Sequence, residues 1–411
     1  MRILTRAAAK QRVRKLELRS SAFEKVETKV RSIVTDVRQG GDRALRKYAE
    51  RWDGLGSRQA LVVSAPELEA AWVLSSREFR KSVEQAAVNI RRFCKWQRPR
   101  IWTRQVRGIS LGQVVKPLES VGCYVPGGRH PLVSTLLMTV IPAQVAGVSQ
   151  IRVASPNPAT EVLAAAHYLG VRELHRIGGA QAIAAFAYGT RSIPRVDKIV
   201  GPGNLYVTVA KKLVSFDCAI DFLAGPTEVV ILSDRGRAEF IAADLTAQAE
   251  HDPAALPIFI TTSKALAQRV SSILIRVRNE VAAQALRRNG SILLAGTRQE
   301  ALDWANRIAP EHITIEKRDL PFIQSAGSIF VGDYSAQAAG DYASGPNHVL
   351  PTAGVARFRG GLSVNDFVKV ITVQELSRAG LSRIGKSITC LAEIEGLIAH
   401  AESIRTRCPD A

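Results

Sequence analysis

The chain has 411 residues, 46% of them hydrophobic and 23% charged, enough to bury a sizeable core and to divide into two or more domains. A formal net charge of +19 invites a nucleic-acid reading, but Lys and Arg are spread out, with modest density only in 2–19 and 91–107. No recognition-helix, zinc-finger or aromatic-stacking signature accompanies them, so a basic surface that attracts anions is the simpler account, and specific nucleic-acid binding is not expected.

In chain order, Met1-Arg-Ile-Leu-Thr-Arg-Ala-Ala-Ala-Lys lacks the apolar run of a secretory signal and reads as an amphipathic arm. Phe23, Val26, Val30, Ile33, Val34, Val37, Leu45 and Tyr48 recur at helical spacing, broken by a Gly40-Gly41 turn, and one further helix is predicted over 66–95. The pattern then changes to strands alternating with helices. Ser120 to Val125 ends in Pro126-Gly127-Gly128, and Gln150 to Ala154 is followed by a helix to Leu169. Leu174 to Ile177 leads through Gly178-Gly179 into a helix, and Lys198 to Val200 leads through Gly201-Pro-Gly203 into another. Such alternation predicts βαβ units and a parallel sheet.

A second run follows Phe222-Leu-Ala-Gly-Pro226, taken as the crossing between two sheets. It comprises a strand over 227–232, a helix over 238–250, a strand over 257–261, a helix to about Ala283 and a strand over 291–294. From about Leu362 the chain reads as helical. The longest apolar stretch, 132–148, is interrupted by Ser134, Thr135, Pro142 and Gln144, so no membrane span is expected. Five cysteines without C-x-x-C spacing suit a reducing compartment, and a cytoplasmic location is expected.

Four of the seven histidines sit in polar clusters: Gln248-Ala-Glu-His251, Glu311-His312, the Gly340-to-His348 segment with Asp341, and Glu395 with His400. Imidazole, carboxylate and carboxamide gathered from distant segments suit a metal ion or a proton transfer. Gln248 and His251, three apart on the predicted helix, project to one face. Adding Asp341 and His400 gives an N/O donor set without thiolate, which implies an open site rather than a closed structural zinc. Glu311-His312 precedes the apolar Ile313-Thr-Ile315, a loop-to-strand junction suited to a rigid base. Gly201-Pro-Gly203-Asn204 opens a helix after a strand as a dinucleotide turn should. Tyr206, however, stands where the third glycine of G-x-G-x-x-G belongs, so a standard fingerprint is absent. Tyr124, Gln181 and Asn204 stand beside such turns.

Tyr124-Val-Pro-Gly-Gly128, Gly178-Gly-Ala-Gln-Ala-Ile183, Gly201-Pro-Gly-Asn204, Ala224-Gly-Pro226, Gln248-Ala-Glu-His251, Pro310-Glu-His312 and Gly340-Asp-Tyr-Ala-Ser-Gly-Pro-Asn-His-Val-Leu-Pro351 occur in this order in histidinol dehydrogenases. From near residue 20 to its end the chain resembles that family. The resemblance implies an NAD-dependent, zinc-containing homodimer that oxidises L-histidinol through the aldehyde to L-histidine. It implies zinc ligands Gln248, His251, Asp341 and, from the second subunit, His400, with substrate completing the coordination sphere. Glu395 and His348 would bind substrate, as would Thr227, which stands where the family usually has serine. His312 would be the base, Glu311 would activate water, and Tyr124, Gln181 and Asn204 would contact NAD.

The expected architecture is α/β with two degenerate Rossmann-like domains. Residues 1–20 form an arm; 21–122 with 230–361 form the first α/β domain, carrying catalytic and metal residues. Residues 123–229 form the second, NAD-binding domain, and 362–411 a helical segment reaching the partner subunit's site. Two other functions compete. A paralogue oxidising another alcohol, such as a sulfonated diol, is disfavoured by the retained Glu395 and His348. A basic nucleic-acid binder leaves the ligand set unexplained.

Overall fold

Strand β1 (Arg2–Thr5) and helix α1 (Arg6–Glu17) begin the chain, followed by the long helix α2 (Glu24–Trp52). The computed structural model describes residues 1–19, 23–127 and 131–408. Helix α2 bends at Gly41, whose φ of 52° and ψ of −134° leave the helical region at small cost because glycine has no Cβ. The single helix predicted over 66–95 is two, α3 (Ala65–Leu74) and α4 (Arg77–Trp96). Ser75 and Ser76 are both extended, and the Ser76 hydroxyl accepts from Phe79 N at 3.1 Å, capping α4. A hairpin of β2 (Trp102–Val106) and β3 (Ile109–Pro117) follows, unforeseen in the sequence.

The first predicted βα run comprises β4 (Ser120–Tyr124), α5 (Val133–Ala146), β5 (Gln150–Ala154), α6 (Thr160–Tyr168), β6 (Glu173–His175), α7 (Gly179–Tyr188), β7 (Lys198–Val200), α8 (Leu205–Val214) and β8 (Ala219–Ile220). Its strands form a five-stranded parallel sheet in the order β6-β5-β4-β7-β8. Gly201, just beyond β7, has a φ of 118°, and a Cβ there would lie 2.1 Å from Tyr124 O, so the two strand ends meet only because the position is glycine. Asp221 accepts from Gly201 N at 2.8 Å and is ion-paired with buried Lys211, which donates to Gly201 O at 2.8 Å. This clamp fixes the turn without the missing third glycine.

After residues 221–227 the chain crosses to a second sheet. It contains β9 (Glu228–Leu232), α9 (Ala238–Ala249), β10 (Leu256–Thr261), α10 (Lys264–Leu274), α11 (Glu280–Arg288), β11 (Ser291–Leu294), α12 (Arg298–Ile308), β12 (His312–Ile315), β13 (Ser328–Val331) and α13 (Gln337–Tyr342). The helix predicted to run to Ala283 is interrupted between Leu274 and Glu280, where Asn279 caps α11. The six strands, all parallel, run β1-β11-β10-β9-β12-β13. The amino-terminal residues are therefore an edge strand rather than an arm, since Ile3 and Leu4 extend the apolar faces of β11.

Helices α2 to α4 pack on the five-stranded sheet, not with the six-stranded sheet to which the sequence reading had joined them. Val83, Ala87 and Ile90 share a core with Val121, Cys123 and Val153, and Val30, Val37 and Leu45 share one with α7 and α8. The final segment is not wholly helical. β14 (Val368–Leu376) pairs antiparallel with β3 along nine residues, and α14 (Arg378–Ile394) and α15 (Ile398–Arg405) follow. β14 carries Val370, Ile371 and Val373 with exposed side chains, which hides the one-face-buried pattern that would mark a strand.

Candidate active site

The register of the six-stranded sheet builds the centre of the site. Parallel pairing sets His312 beside Val229, so Glu311, one residue earlier, reaches the start of β9. Glu311 is buried, and its Oε2 accepts from the Thr227 hydroxyl at 2.5 Å and from Glu228 N at 2.8 Å. Gln248, buried in the last turn of α9, donates through Nε2 to the same Thr227 hydroxyl oxygen. Thr227 thus joins a carboxylate and a carboxamide from two different βα units.

His312 is buried with its ring tilted against Phe330, centroids 5.9 Å apart. Its Nδ1 lies 3.2 Å from Glu228 O, an acceptor only, so Nδ1 carries the proton and Nε2 is the free base position of the neutral ring. Asp341 Oδ1 is 3.6 Å from Nε2. Gln248 Nε2 stands 3.5 Å from Nδ1, but two N–H groups facing one another do not bond. Glu228, which sequence reasoning missed, therefore orients both members of the pair through its backbone. Its carboxylate is held by Arg19 at 2.7 and 2.6 Å and by Ala353 N at 3.0 Å, so the amino-terminal segment braces the site.

Electrostatics follow from burial and proximity. Burial pushes the Glu311 carboxyl up to about 7, against the neighbouring His312 and the two hydrogen bonds. Burial alone would lower His312, but Glu311 and Asp341 outweigh it and raise the imidazole to about 9. Asp341 is held below the usual carboxylate range: its burial acts upward, and the facing imidazoles prevail. His348 donates from Nδ1 to Asp341 O at 2.7 Å and approaches Thr135 of α5 at 3.4 Å, linking the 340s segment to the other sheet; burial lowers its pKa.

Gln248 and His251 are not on one helical face as predicted. Helix α9 ends at Ala249, and His251 lies beyond it, exposed, within electrostatic reach of Asp341. Glu395, at the end of α14, and His400, on α15, are exposed, and no hydrogen bond or ion pair joins either to the other site residues. Among the described residues of one chain, no three His, Cys, Asp or Glu side chains converge as a metal centre. The donors available near His312 nevertheless fit a metal completed from elsewhere: Gln248 spends its amide nitrogen on Thr227, and no donor among the described residues reaches its Oε1. The Asp341 carboxyl is held below its usual range by the facing imidazoles, and His251 is open to solvent.

Tyr124, Gln181 and Asn204 meet in a separate cleft of about 640 Å³ at the carboxyl ends of the five-stranded sheet, where open α/β sheets bind ligands. Gly179 N donates to the Tyr124 hydroxyl at 3.1 Å. Asn204 Oδ1 caps α8, accepting from Tyr206 N at 3.0 Å and Val207 N at 3.2 Å, which leaves its amide nitrogen for a ligand. Gln181 donates at 3.0 Å to Asp53, a residue without sequence signal because it simply follows the end of α2. Burial raises the Asp53 carboxyl above its usual range, opposed by this bond and one from Gly178 N. The Gly127 turn also lines the cleft; Gly128 lies outside the described residues.

A buried Glu–His pair on one parallel sheet and a separate cleft of about 640 Å³ at the end of another suit the class of α/β enzymes. The family model for histidinol dehydrogenase matches residues 16–408, and the chain belongs to that family of oxidoreductases of histidine biosynthesis. It is 46% identical over 398 residues to a histidinol dehydrogenase of Methanothermobacter thermautotrophicus, covering 93% of each chain. It is 46% identical to one of Syntrophotalea carbinolica, covering 94% of each. The crystal structure of histidinol dehydrogenase from Elizabethkingia anophelis superimposes with a TM-score of 0.93 at 35% identity, over 99% of this chain and 98% of that one. Neither competing function is favoured by these likenesses. Among the described residues no helix is long and apolar enough to cross a membrane.

Proposed function

We propose that this enzyme carries L-histidinol through bound L-histidinal to L-histidine in two NAD-linked oxidations, as a cytoplasmic homodimer with one zinc and one shared site per subunit. The Glu311–His312 pair carries the reading. His312 keeps Nδ1 on the Glu228 carbonyl and, as the neutral ring that gains population as pH rises towards its raised pKa of about 9, offers Nε2 to remove the substrate's hydroxyl proton. Glu311 spends Oε2 on Thr227 and Glu228, leaving Oε1 to take a proton from the water that attacks the aldehyde. Once His312 has passed the first proton to solvent, it removes a hydroxyl proton from the resulting hydrate, so one base serves both oxidations. A carboxyl group near 7 can give and take protons at neutral pH.

NAD, when bound against Tyr124, Gln181 and Asn204, supplies the hydride acceptor. Zinc, held by Gln248, His251, Asp341 and His400 of the partner subunit, would orient the substrate's imidazole and amine. Thr227, His348 and Glu395 would contact substrate. A second copy is supported by where the apolar surface lies: Leu391, Ile394, Leu397 and Ile398 are exposed on the same helices that carry Glu395 and His400, and β14 exposes Val370, Ile371 and Val373.

The test is stoichiometric. Zinc-loaded enzyme with limiting L-histidinol and excess NAD is expected to form two NADH per histidinol; one NADH with free aldehyde, or no turnover by a folded dimer, would reject the four-electron assignment.

A further inference from the structure

Asp53 lies one residue past α2, only 8% exposed, in the wall of the cleft. Its Oδ2 accepts from Gly178 N at 2.9 Å and from Gln181 Nε2 at 3.0 Å. Its Oδ1 takes no hydrogen bond from any described residue. Among the described residues the fully buried side-chain atoms without partners belong to Arg152 and His175, so Oδ1 is not sealed in the protein, and its residue lines the cleft. A carboxylate with one oxygen anchored by two N–H donors and the other bare is a preset acceptor for hydroxyl groups.

Beside it, Trp52 lines the cleft with its ring stacked on Tyr48, centroids 4.8 Å apart, and remains 44% exposed, a flat surface for a purine. Thr227, Gln248, Glu311 and His312 do not line this cleft, which suits it to the part of a dinucleotide remote from the chemistry. Among the described lining residues the cation is Lys29, 5.4 Å over the Tyr206 ring beside the start of α8, a position suited to a diphosphate.

We infer that Asp53 reads the adenosine ribose of the cofactor, accepting from its hydroxyls, and that its charge excludes a 2′-phosphate, so that the enzyme selects NAD over NADP. The inference rests on reading this cleft as the NAD site. Dinucleotide-binding sheets place an acidic residue on the ribose in the same way. Here the residue comes from a helix outside the sheet, and like charge supplies the discrimination.

The full-length protein is titrated calorimetrically with ADP and with 2′,5′-ADP, the wild type against Asp53→Asn. The asparagine oxygen can keep both N–H donors while its NH2 turns to the cleft, replacing an acceptor with a donor. The wild type is expected to prefer ADP by at least about tenfold, and the variant to lose at least about tenfold of that preference. Asp53→Ser, which removes the charge in a smaller side chain, is expected to lose it as well and serves if the asparagine variant does not fold. An unchanged ratio with both ligands weakened alike would reduce Asp53 to a positioning residue for Gln181 and overturn the inference. Equal binding of both ligands by the wild type would do the same while leaving the cofactor site standing. Failure of the wild type to bind ADP at all would overturn the cofactor reading of the cleft and this inference with it.

Discussion

Replacing Thr227 by valine keeps the shape of the side chain and deletes its hydroxyl, which is both donor to Glu311 and acceptor from Gln248. A hydrogen bond to a charged group contributes about 1.5–3 kcal/mol and a neutral one about 1 kcal/mol. Glu311, raised to about 7, can relieve part of the first loss by taking up a proton near neutral pH. The net cost is therefore placed at about 2–3 kcal/mol rather than at the full sum. Thr227→Ser retains both hydrogen bonds and gives up one half-buried methyl, less than about 0.8 kcal/mol. Urea denaturation gives the difference from the shift in midpoint at constant m. If the same geometry serves the transition state, kcat/KM should fall about 30- to 160-fold in the valine variant and within about fourfold in the serine variant. A valine variant within about 0.5 kcal/mol of wild type, or a serine variant as damaged as the valine one, would refute the bridging role.

Two further outcomes are expected. His175 is buried with both ring nitrogens unpartnered, and burial lowers its pKa from 6.5 to about 4. Its proton therefore binds the unfolded chain first, so stability is full above 6.5 and is lost as pH falls towards 4. This removes about 2 kcal/mol between pH 7 and pH 5, and His175→Leu should lose that much less over the same interval; equal losses would contradict the assignment. Shared sites predict complementation: His400→Ala and Gln248→Ala subunits, each inactive alone, should recover about a quarter of wild-type activity when mixed and reassociated, because half the dimers carry one intact site. No recovery despite exchange of subunits would place each site within one chain.

The βα alternation was legible because strands buried on both faces read as apolar runs, as in β9 and β10, and because Gly178-Gly179 and Gly201-Pro-Gly203 punctuate them. The Phe222-to-Pro226 crossing likewise falls where the chain leaves one sheet for the other. The β2–β3 hairpin and β14 were not legible, since β2 and β14 are almost wholly exposed, β3 is mostly half-buried, and none of them buries an alternating face. Packing partners were also hidden: helix periodicity shows that α2 to α4 have an apolar face but not which sheet it covers. At the site, Glu311, His312, Gln248 and Asp341 stood out by residue type. Glu228 acts through its backbone and Asp53 through a contact 128 residues away, neither of which composition or spacing encodes. Glu395 and His400 stand apart from the other site residues: residue type alone had grouped His400 with the N/O donors, and the family resemblance supplied its origin in the second subunit and the substrate role of Glu395.

The division of labour between His312 and Glu311 is tested most directly by counting NADH formed per site by zinc-loaded Glu311→Gln with saturating L-histidinol and NAD. The first oxidation needs only the base on His312, whereas the second needs the water that Glu311 activates. One NADH per site, followed by a stall with aldehyde retained, is the predicted result. Continued turnover to two NADH per histidinol at the wild-type rate would contradict it.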